Sequence, residues 1–484
     1  MVQGMNFNNV FSIVGKIMLL LALVQTVPAA LAFYYHEPVS PFLASIIITG
    51  MIGLICHIKF QKTDEDEWTV RESYSVVALS WLFSALVCSI PFLLSGMSPI
   101  NAFFESMSGV TTTGSTVMAN IELFPKSLLF WRALLQWLGG LGVVALFIAV
   151  IPKVNMKGRQ LYKAEFSGPT EDKLSPKISS TAKILWLFYI GVTALLVILL
   201  FLLGVSAYDS FAFAFSVMSS GGFAPYTDSV LPILSNPLTF VIIIIFMIIA
   251  GTNFALIYKS MTKGIRYLLK DEEFRVYIAF FLLVSSALAI ILLRDTDYDL
   301  IMSIKHAFFQ ISSLMTTTGL VTVDFNMWSD AAKIILFLAM LTGSCSGSTS
   351  GGPTFVRWII LFRYVRRDVF KFIHPNAVKP VKYNGRSLSE ETVHSTISFM
   401  ILYFVILLVS SVLLGILGLD LVSAVTSALT ALGNVGPSFG LIGPLDNFSV
   451  LPAASRLILI FNMWIGRLEL YTVILLFTRE FWKR

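Results

Sequence analysis

The sequence predicts an all-α polytopic membrane protein: four helix–re-entrant loop–helix repeats arranged pseudo-fourfold around a central pore, preceded by an extra helix pair. Three observations carry that reading. The chain has 484 residues, of which 56% are hydrophobic and only 13% charged, where a soluble domain carries about 25% charged residues. Apolar runs of membrane-spanning length recur along it. A unit of about 100 residues repeats four times.

So little polar residue cannot coat a water-exposed surface. This excludes a soluble enzyme, a disordered chain and a nucleic-acid binder, and no nucleic-acid partner is expected. The net charge of +6 reads as loop charge beside a bilayer, the expected partner of this surface. Cys56, Cys88 and Cys345 lie far apart in apolar or glycine-rich stretches, so neither a disulfide framework nor a clustered zinc site is expected.

A helix needs about 20 apolar residues to span the hydrocarbon core. Such runs lie near 10–35, 38–60, 72–95, 127–152, 182–206, 237–259, 276–294, 393–418 and 452–478, with a tenth, glycine-interrupted, at 331–365. Ala29-Ala30-Leu31-Ala32 looks like a signal-peptide cleavage site, but the long run and the single Lys16 before it favour a retained first helix. Four shorter apolar segments, about 100–113, 207–221, 300–318 and 419–435, are too short to span and suit re-entrant half-helices.

Charge orients the chain. The segments 58–72, 152–184, 259–276, 357–395 and 478–484 hold 26 of the 34 Lys and Arg, whereas the segments on the opposite side hold three basic residues and twelve acids. The basic loops and both termini are therefore expected in the cytoplasm, and the half-helices enter from outside. The acidic outer face raises local cation concentration.

The repeats align on Gly114, Gly222, Gly319 and Gly436. Twelve positions earlier stand Ala102, Ser210, Ala307 and Ala424; eleven earlier Phe103, Phe211, Phe308 and Val425; six earlier Ser108, Ser216, Ser313 and Thr430; four earlier Val110, Met218, Met315 and Leu432. The turns carry Thr112-Thr113-Gly114, Ser220-Gly221-Gly222, Thr317-Thr318-Gly319 and Asn434-Val435-Gly436. A half-helix stopping at mid-membrane leaves carbonyls unpaired, tolerable only where the backbone is buried in protein or lines a watery path. Four such ends form a ring of carbonyl oxygens and of partly negative helix C-termini, both of which favour a cation. Rings of this kind replace the hydration shell of potassium. The expected ion-binding residues are these twelve turn residues. The repeats divide the chain into a helix pair at 1–68 and pore units at 69–160, 161–270, 271–385 and 386–484.

Two spans are exceptional. In 331–369 the middle reads Gly343-Ser344-Cys345-Ser346-Gly347-Ser348-Thr349-Ser350-Gly351-Gly352-Pro353, which cannot stay helical. A polar loop at mid-membrane depth lines the water path. Its Gly343, Ser344, Gly347, Ser348, Thr349, Gly351 and Gly352 are the expected gate, a passive kink being the plainer alternative. The last span carries Arg467, an intramembrane charge that faces either the pore or loop carbonyls. Glu469, two residues on, is off its helix face and reads as the one acid inside a span.

The repeat, the glycine turns, the polar loop and Arg467 together resemble the Trk/Ktr/HKT superfamily of cation transport proteins over essentially the whole chain. The resemblance implies four covalently joined channel-like units, a homodimer, and potassium uptake across a bacterial inner membrane, by channel-like flux or coupled symport. It implies that the four aligned glycines are filter glycines, that 343–352 is the gating loop and that Arg467 is the pore arginine. Gly114, where sodium-preferring members have serine, points to potassium. Asn434-Val435 departs from the Thr-rich pattern and makes the site asymmetric. The resemblance also implies a cytosolic, nucleotide-binding regulatory subunit (TrkA-like), docking on basic loops such as 357–386. This chain has no phosphate-binding loop, so no cofactor is expected on it beyond the transported K+. An intramembrane enzyme would need paired acids, a zinc pair or a nucleophile with its base, and His36, His57, His306, His374 and His394 lie at edges or in loops. A carrier of inverted repeats is disfavoured, because all four units enter from one side.

Topology is directly testable. Single cysteines at Asp324 and Asp446 should react with a membrane-impermeant thiol reagent in whole cells, and those at Lys173 and Lys379 should react only after permeabilisation. The reverse pattern would overturn the orientation.

Overall fold

A computed structural model describes residues 7–60, 70–142, 178–468 and 470–482. Among these the backbone is almost wholly helical. The one sheet is a hairpin pairing Lys382 with Ser387 and Tyr383 with Arg386.

Six described helices are long and apolar enough to cross a membrane: Phe7–Tyr34, Ser40–Lys59, Arg71–Leu94, Thr181–Leu202, Glu272–Asp295 and Glu390–Ile416. The outward faces of the last three carry Phe201, Leu283 and Leu408, all more than half exposed, as a lipid-facing surface requires. The N-terminal pair is drawn together by glycine. A Cβ on Gly15 would lie 2.8 Å from the Gly53 carbonyl oxygen, and one on Gly53 would lie 2.9 Å from that of Gly15.

The four half-helices are present as Pro99–Val110, Ala207–Met218, Leu300–Met315 and Leu421–Gly433. Each starts on a capping residue, Ser98, Ser206, Asp299 or Asp420, whose side chain accepts a backbone N–H from the first turn. The cap carboxyl of Asp420 is held below the usual range by the Ser423 hydroxyl. The aligned columns acquire a spatial meaning. Ala102, Ser210, Ala307 and Ala424 are buried, as are Ser108, Ser216, Ser313 and Thr430, so these positions face the protein's centre.

The second helix of every repeat stops early, at Gly140, Ala250, Thr342 and Arg467. This corrects two expectations. The predicted span 237–259 is two helices, Pro237–Ala250 and Phe254–Lys263, bent by 102°; 452–478 is likewise Ala453–Arg467 and Leu470–Phe477, bent by 118°. The first break has a local cause. Gly251 packs where a Cβ would lie 2.6 Å from the Tyr277 hydroxyl, and Asn253 caps the next helix by accepting the Leu256 N–H at 2.9 Å. In the third repeat the polar loop separates Asp330–Thr342 from Phe355–Ile373, as expected. The far end of the predicted span 127–152 lies outside the described residues.

Candidate ion filter and intramembrane loop

The four turns share one backbone conformation. Thr112, Ser220, Thr317 and Asn434 have φ of 54°, 55°, 56° and 52°, and the glycines two residues on have φ of 84°, 80°, 75° and 108°. The residue between them keeps negative φ. Alternating hand lines N–H groups along one face of a segment and leaves carbonyls on the other. The N–H groups turn back to the helix: Thr113 donates to Ser108 O at 2.8 Å, Gly221 to Ser216 O at 2.9 Å, Thr318 to Ser313 O at 2.8 Å and Val435 to Thr430 O at 2.9 Å. These are Schellman closures. They explain the hydroxyl column as the last turn of each half-helix, and place a β-branched threonine in the left-handed region twice, a strain that persists only where the surroundings impose it.

The turns interlock in a closed cycle. A Cβ on Gly114 would overlap the carbonyl oxygen of Gly221, one on Gly222 that of Thr318, and one on Gly319 that of Val435. One on Gly436 would lie 2.8 Å from that of Thr113. Each glycine thus abuts the carbonyl just before the next repeat's glycine, and the fourth contact returns to the first repeat. All four glycines line one open cavity, together with Asp446. A second ring of bonds joins the repeats above it. Thr227 N donates to Glu122 at 2.7 Å, Val321 N to Ser229 Oγ at 3.0 Å, Asn326 exchanges bonds with Gly440 at 2.9 and 3.0 Å, and Phe448 N donates to Thr116 O at 2.8 Å. The divergent fourth turn is tied in by its own side chain: Asn434 Nδ2 donates to Thr113 Oγ1 at 2.9 Å and to Met463 O at 3.1 Å.

The polar loop seats against the half-helix ends, away from the open cavity. Ser344 Oγ donates to Met315 O at 3.0 Å, Ser350 Oγ to Thr316 O at 2.8 Å, and Gly351 N to Thr317 Oγ1 at 3.0 Å. Thr349 Oγ1 bonds Met218 O at 3.1 Å and the Ser220 hydroxyl at 2.9 Å. A Cβ on Gly351 would lie 2.9 Å from Asn434 Cβ. Gly347 and Gly352 turn the loop at φ of 74° and 73°, and Ser348 Oγ closes a turn on Cys345 O at 2.7 Å. The loop therefore contacts three repeats. Arg467 supplies the fourth, donating to Thr349 O at 2.7 Å and to Gly139 O and Gly140 O at 2.6 Å each. Of the two roles expected for Arg467, bonding loop carbonyls is the one these contacts display; Glu469 lies outside the described residues.

The carbonyl four residues before each aligned glycine is closely met in every repeat. Those of Met218 and Met315 accept loop hydroxyls, and those of Val110 and Leu432 face Gly139 and Gly466, where a Cβ would collide.

The profile of the TrkH family, described as a cation transport protein, matches residues 40–484. The chain is 33% identical to the Trk system potassium uptake protein TrkH of Escherichia coli (strain K12) over 486 residues, covering 99% of this chain and 100% of that one. The chain belongs to the TrkH family of cation transport proteins. It is a multi-pass membrane transport protein, not an enzyme. It is also 31% identical to the TrkH of Vibrio parahaemolyticus over 99% of this chain. The crystal structure of the potassium transporter TrkH from Vibrio parahaemolyticus superposes with a TM-score of 0.88 at 29% identity, covering 99% of this chain and 100% of that one.

Several residues of this TrkH-family site escaped the sequence reading. Glu105 and Glu273, which lie outside the predicted spans, are both buried. Glu273, at the start of Glu272–Asp295, accepts the N–H of Ser346 at 2.8 Å and of Val356 at 2.9 Å, gripping both ends of the polar loop. Gly139 and Gly466 were visible as mid-span glycines, but nothing in the sequence showed what they approach.

The interlock predicts that Gly222→Ala, whose methyl enters the Thr318 carbonyl, abolishes most cation flux in proteoliposomes. Gly191→Ala, at a site with nothing within 4 Å of a Cβ, should leave flux intact. Equal flux from both would contradict the packing.

Proposed function

We propose that this protein takes up potassium across the bacterial cell membrane through the ring formed by Thr112, Thr113, Gly114, Ser220, Gly221, Gly222, Thr317, Thr318, Gly319, Asn434, Val435 and Gly436. The closed cycle of glycine–carbonyl contacts carries the reading. It sets four copies of one backbone turn around a common centre, each offering carbonyl oxygen and the partly negative end of a half-helix. Carbonyl oxygens so placed substitute for the hydration shell of a potassium ion. The relatives' names, Trk system potassium uptake proteins, support the same ion.

Loop 343–352 is the gate, lying across the path beneath the ring, and Arg467 latches it to the first repeat while placing a fixed positive charge at that depth. The loop is held by individual hydrogen bonds, each netting about 0.5–1.5 kcal/mol, so a cytosolic partner can shift it through the adjoining helix Phe355–Ile373. We assign that role to a separate nucleotide-binding regulatory subunit on the basic cytoplasmic loops, with no cofactor on this chain. The working form is a homodimer in the inner membrane, with both termini cytoplasmic.

Two experiments test this. Expression in a potassium-uptake-deficient bacterium should restore growth at low potassium, and Gly114→Ser should narrow the potassium–sodium gap in liposome flux, because a side chain at that turn crowds the neighbouring Gly221 carbonyl. Wild-type preference in Gly114→Ser would remove that turn from the filter. Shortening the 343–352 loop by several residues should raise flux without any partner, and more than Arg467→Ala does, because the deletion removes the obstruction and the substitution only a charge. Selectivity should survive both. Unchanged or lower flux in a folded deletion variant would leave a passive kink.

A further inference from the structure

One face of the first repeat's second helix is built to hold the second repeat's turn. Arg132, Gln136 and Gly140 follow each other at four-residue spacing along Lys126–Gly140, and so share one face. Gln136 Nε2 donates to Gly221 O at 2.6 Å, and its Oε1 accepts the Phe223 N–H at 3.0 Å. Arg132 donates to Ala224 O at 3.3 Å and stacks its guanidinium 4.1 Å from the centre of the Phe223 ring. A Cβ on Gly140 would lie 3.0 Å from Ser219 Cα. Residues 219–224 are thereby gripped along their length from a neighbouring repeat.

The grip contains a charge, and the charge is matched. Arg132 Nε donates to Glu105 Oε1 at 2.7 Å, with the two side chains 1% and 0% exposed. Glu105 also accepts the Val117 N–H at 2.9 Å and the Thr116 hydroxyl at 3.0 Å, and Arg132 donates to that hydroxyl at 3.1 Å. The pair therefore joins the half-helix of the first repeat, its returning strand and the turn of the second repeat. Glu105 stands nine positions before its filter glycine. The equivalent residues tie half-helix to returning strand without charge: Gln310 donates to Thr322 Oγ1 at 3.0 Å, Ser427 and Ser438 hydroxyls lie 3.4 Å apart, and Phe213 stacks on Tyr226. The task is common to all four repeats, and the charged solution belongs to the first.

We propose that Glu105, Arg132 and Gln136 are positioning residues that set ion selectivity. They fix the 221–224 turn so that the carbonyl of Gly221 keeps its distance from Gly114, and Glu105 neutralises a guanidinium that lines the same open cavity as the four glycines. Unmatched, that cation would repel arriving cations in a low-dielectric setting. Rigid carbonyl spacing disfavours the smaller sodium ion, which needs the ring to close further, so loosening the grip admits sodium. The inference rests on the filter reading.

The test uses purified full-length variants in liposomes, measuring potassium and sodium flux. Gln136→Leu carries no buried charge and keeps its volume, and it should raise the sodium-to-potassium flux ratio about tenfold, equivalent to about 1.4 kcal/mol of lost discrimination. Glu105→Gln should lower potassium flux, because the unmatched Arg132 cation lines the cavity that ions enter. Glu105→Gln combined with Arg132→Gln should restore potassium flux above the single variant, which lost packing alone would not do. The brace is overturned if folded Gln136→Leu keeps the wild-type ratio or if the double variant is no better than Glu105→Gln. Should Gly114→Ser also keep the wild-type ratio, the filter reading fails; should Gly114→Ser shift it while Gln136→Leu does not, the brace alone fails.

Discussion

Hydrocarbon offers no partner to a backbone carbonyl or amide, and four half-helices ending inside the bilayer expose both. The fold is organised around that constraint. Each last turn closes on itself through the bond from the residue before the glycine to the hydroxyl-column carbonyl, such as Thr113 N to Ser108 O. The carbonyl just before each glycine abuts the glycine of a neighbouring repeat, and the contact recurs until the circle closes. A side chain at any of those glycines forces the neighbouring carbonyl to shift. The small-residue column, the glycines at 139 and 466 and the outer ring of inter-repeat bonds all serve to bring four helix ends to one place.

The same constraint accounts for the polar loop. Carbonyls of Met218, Met315 and Thr316 that no helix can satisfy are met by the hydroxyls of Thr349, Ser344 and Ser350. A loop held this way is specific in position yet owes little to apolar burial, so its displacement exchanges a few hydrogen bonds rather than dismantling a core. Glu273 holds both of its ends, and the adjacent Glu272 pairs with Arg363 and accepts the Asn384 N–H of the 382–387 hairpin at 3.0 Å. The loop is thus physically continuous with that hairpin.

Much of this was legible in the sequence because it repeats. Five aligned columns exposed the four half-helices, and a density of glycine and serine that no helix tolerates exposed the loop at 343–353. What stayed hidden depends on contacts between distant segments. The span 237–259 is apolar throughout its helical parts, so hydropathy could not show that Gly251 and the capping Asn253 end a helix there. Glu105, Phe213, Gln310 and Ser427 perform one task with unlike chemistry, so no column announces them. Arg132 and Gln136 look like stray polar residues in a span until the second repeat's turn is set against them. The side chain of Arg467 was open to two readings because its three carbonyl partners come from segments over 100 residues away.

The central claim is that four glycine turns make one cation site on the axis between them. Anomalous scattering from crystals of the full chain grown in rubidium tests it directly. The account predicts anomalous density on the axis among the carbonyls of residues 112–113, 220–221, 317–318 and 434–435, weakened when sodium replaces rubidium. Density elsewhere in the protein, with the axis between Gly114, Gly222, Gly319 and Gly436 empty, would contradict it.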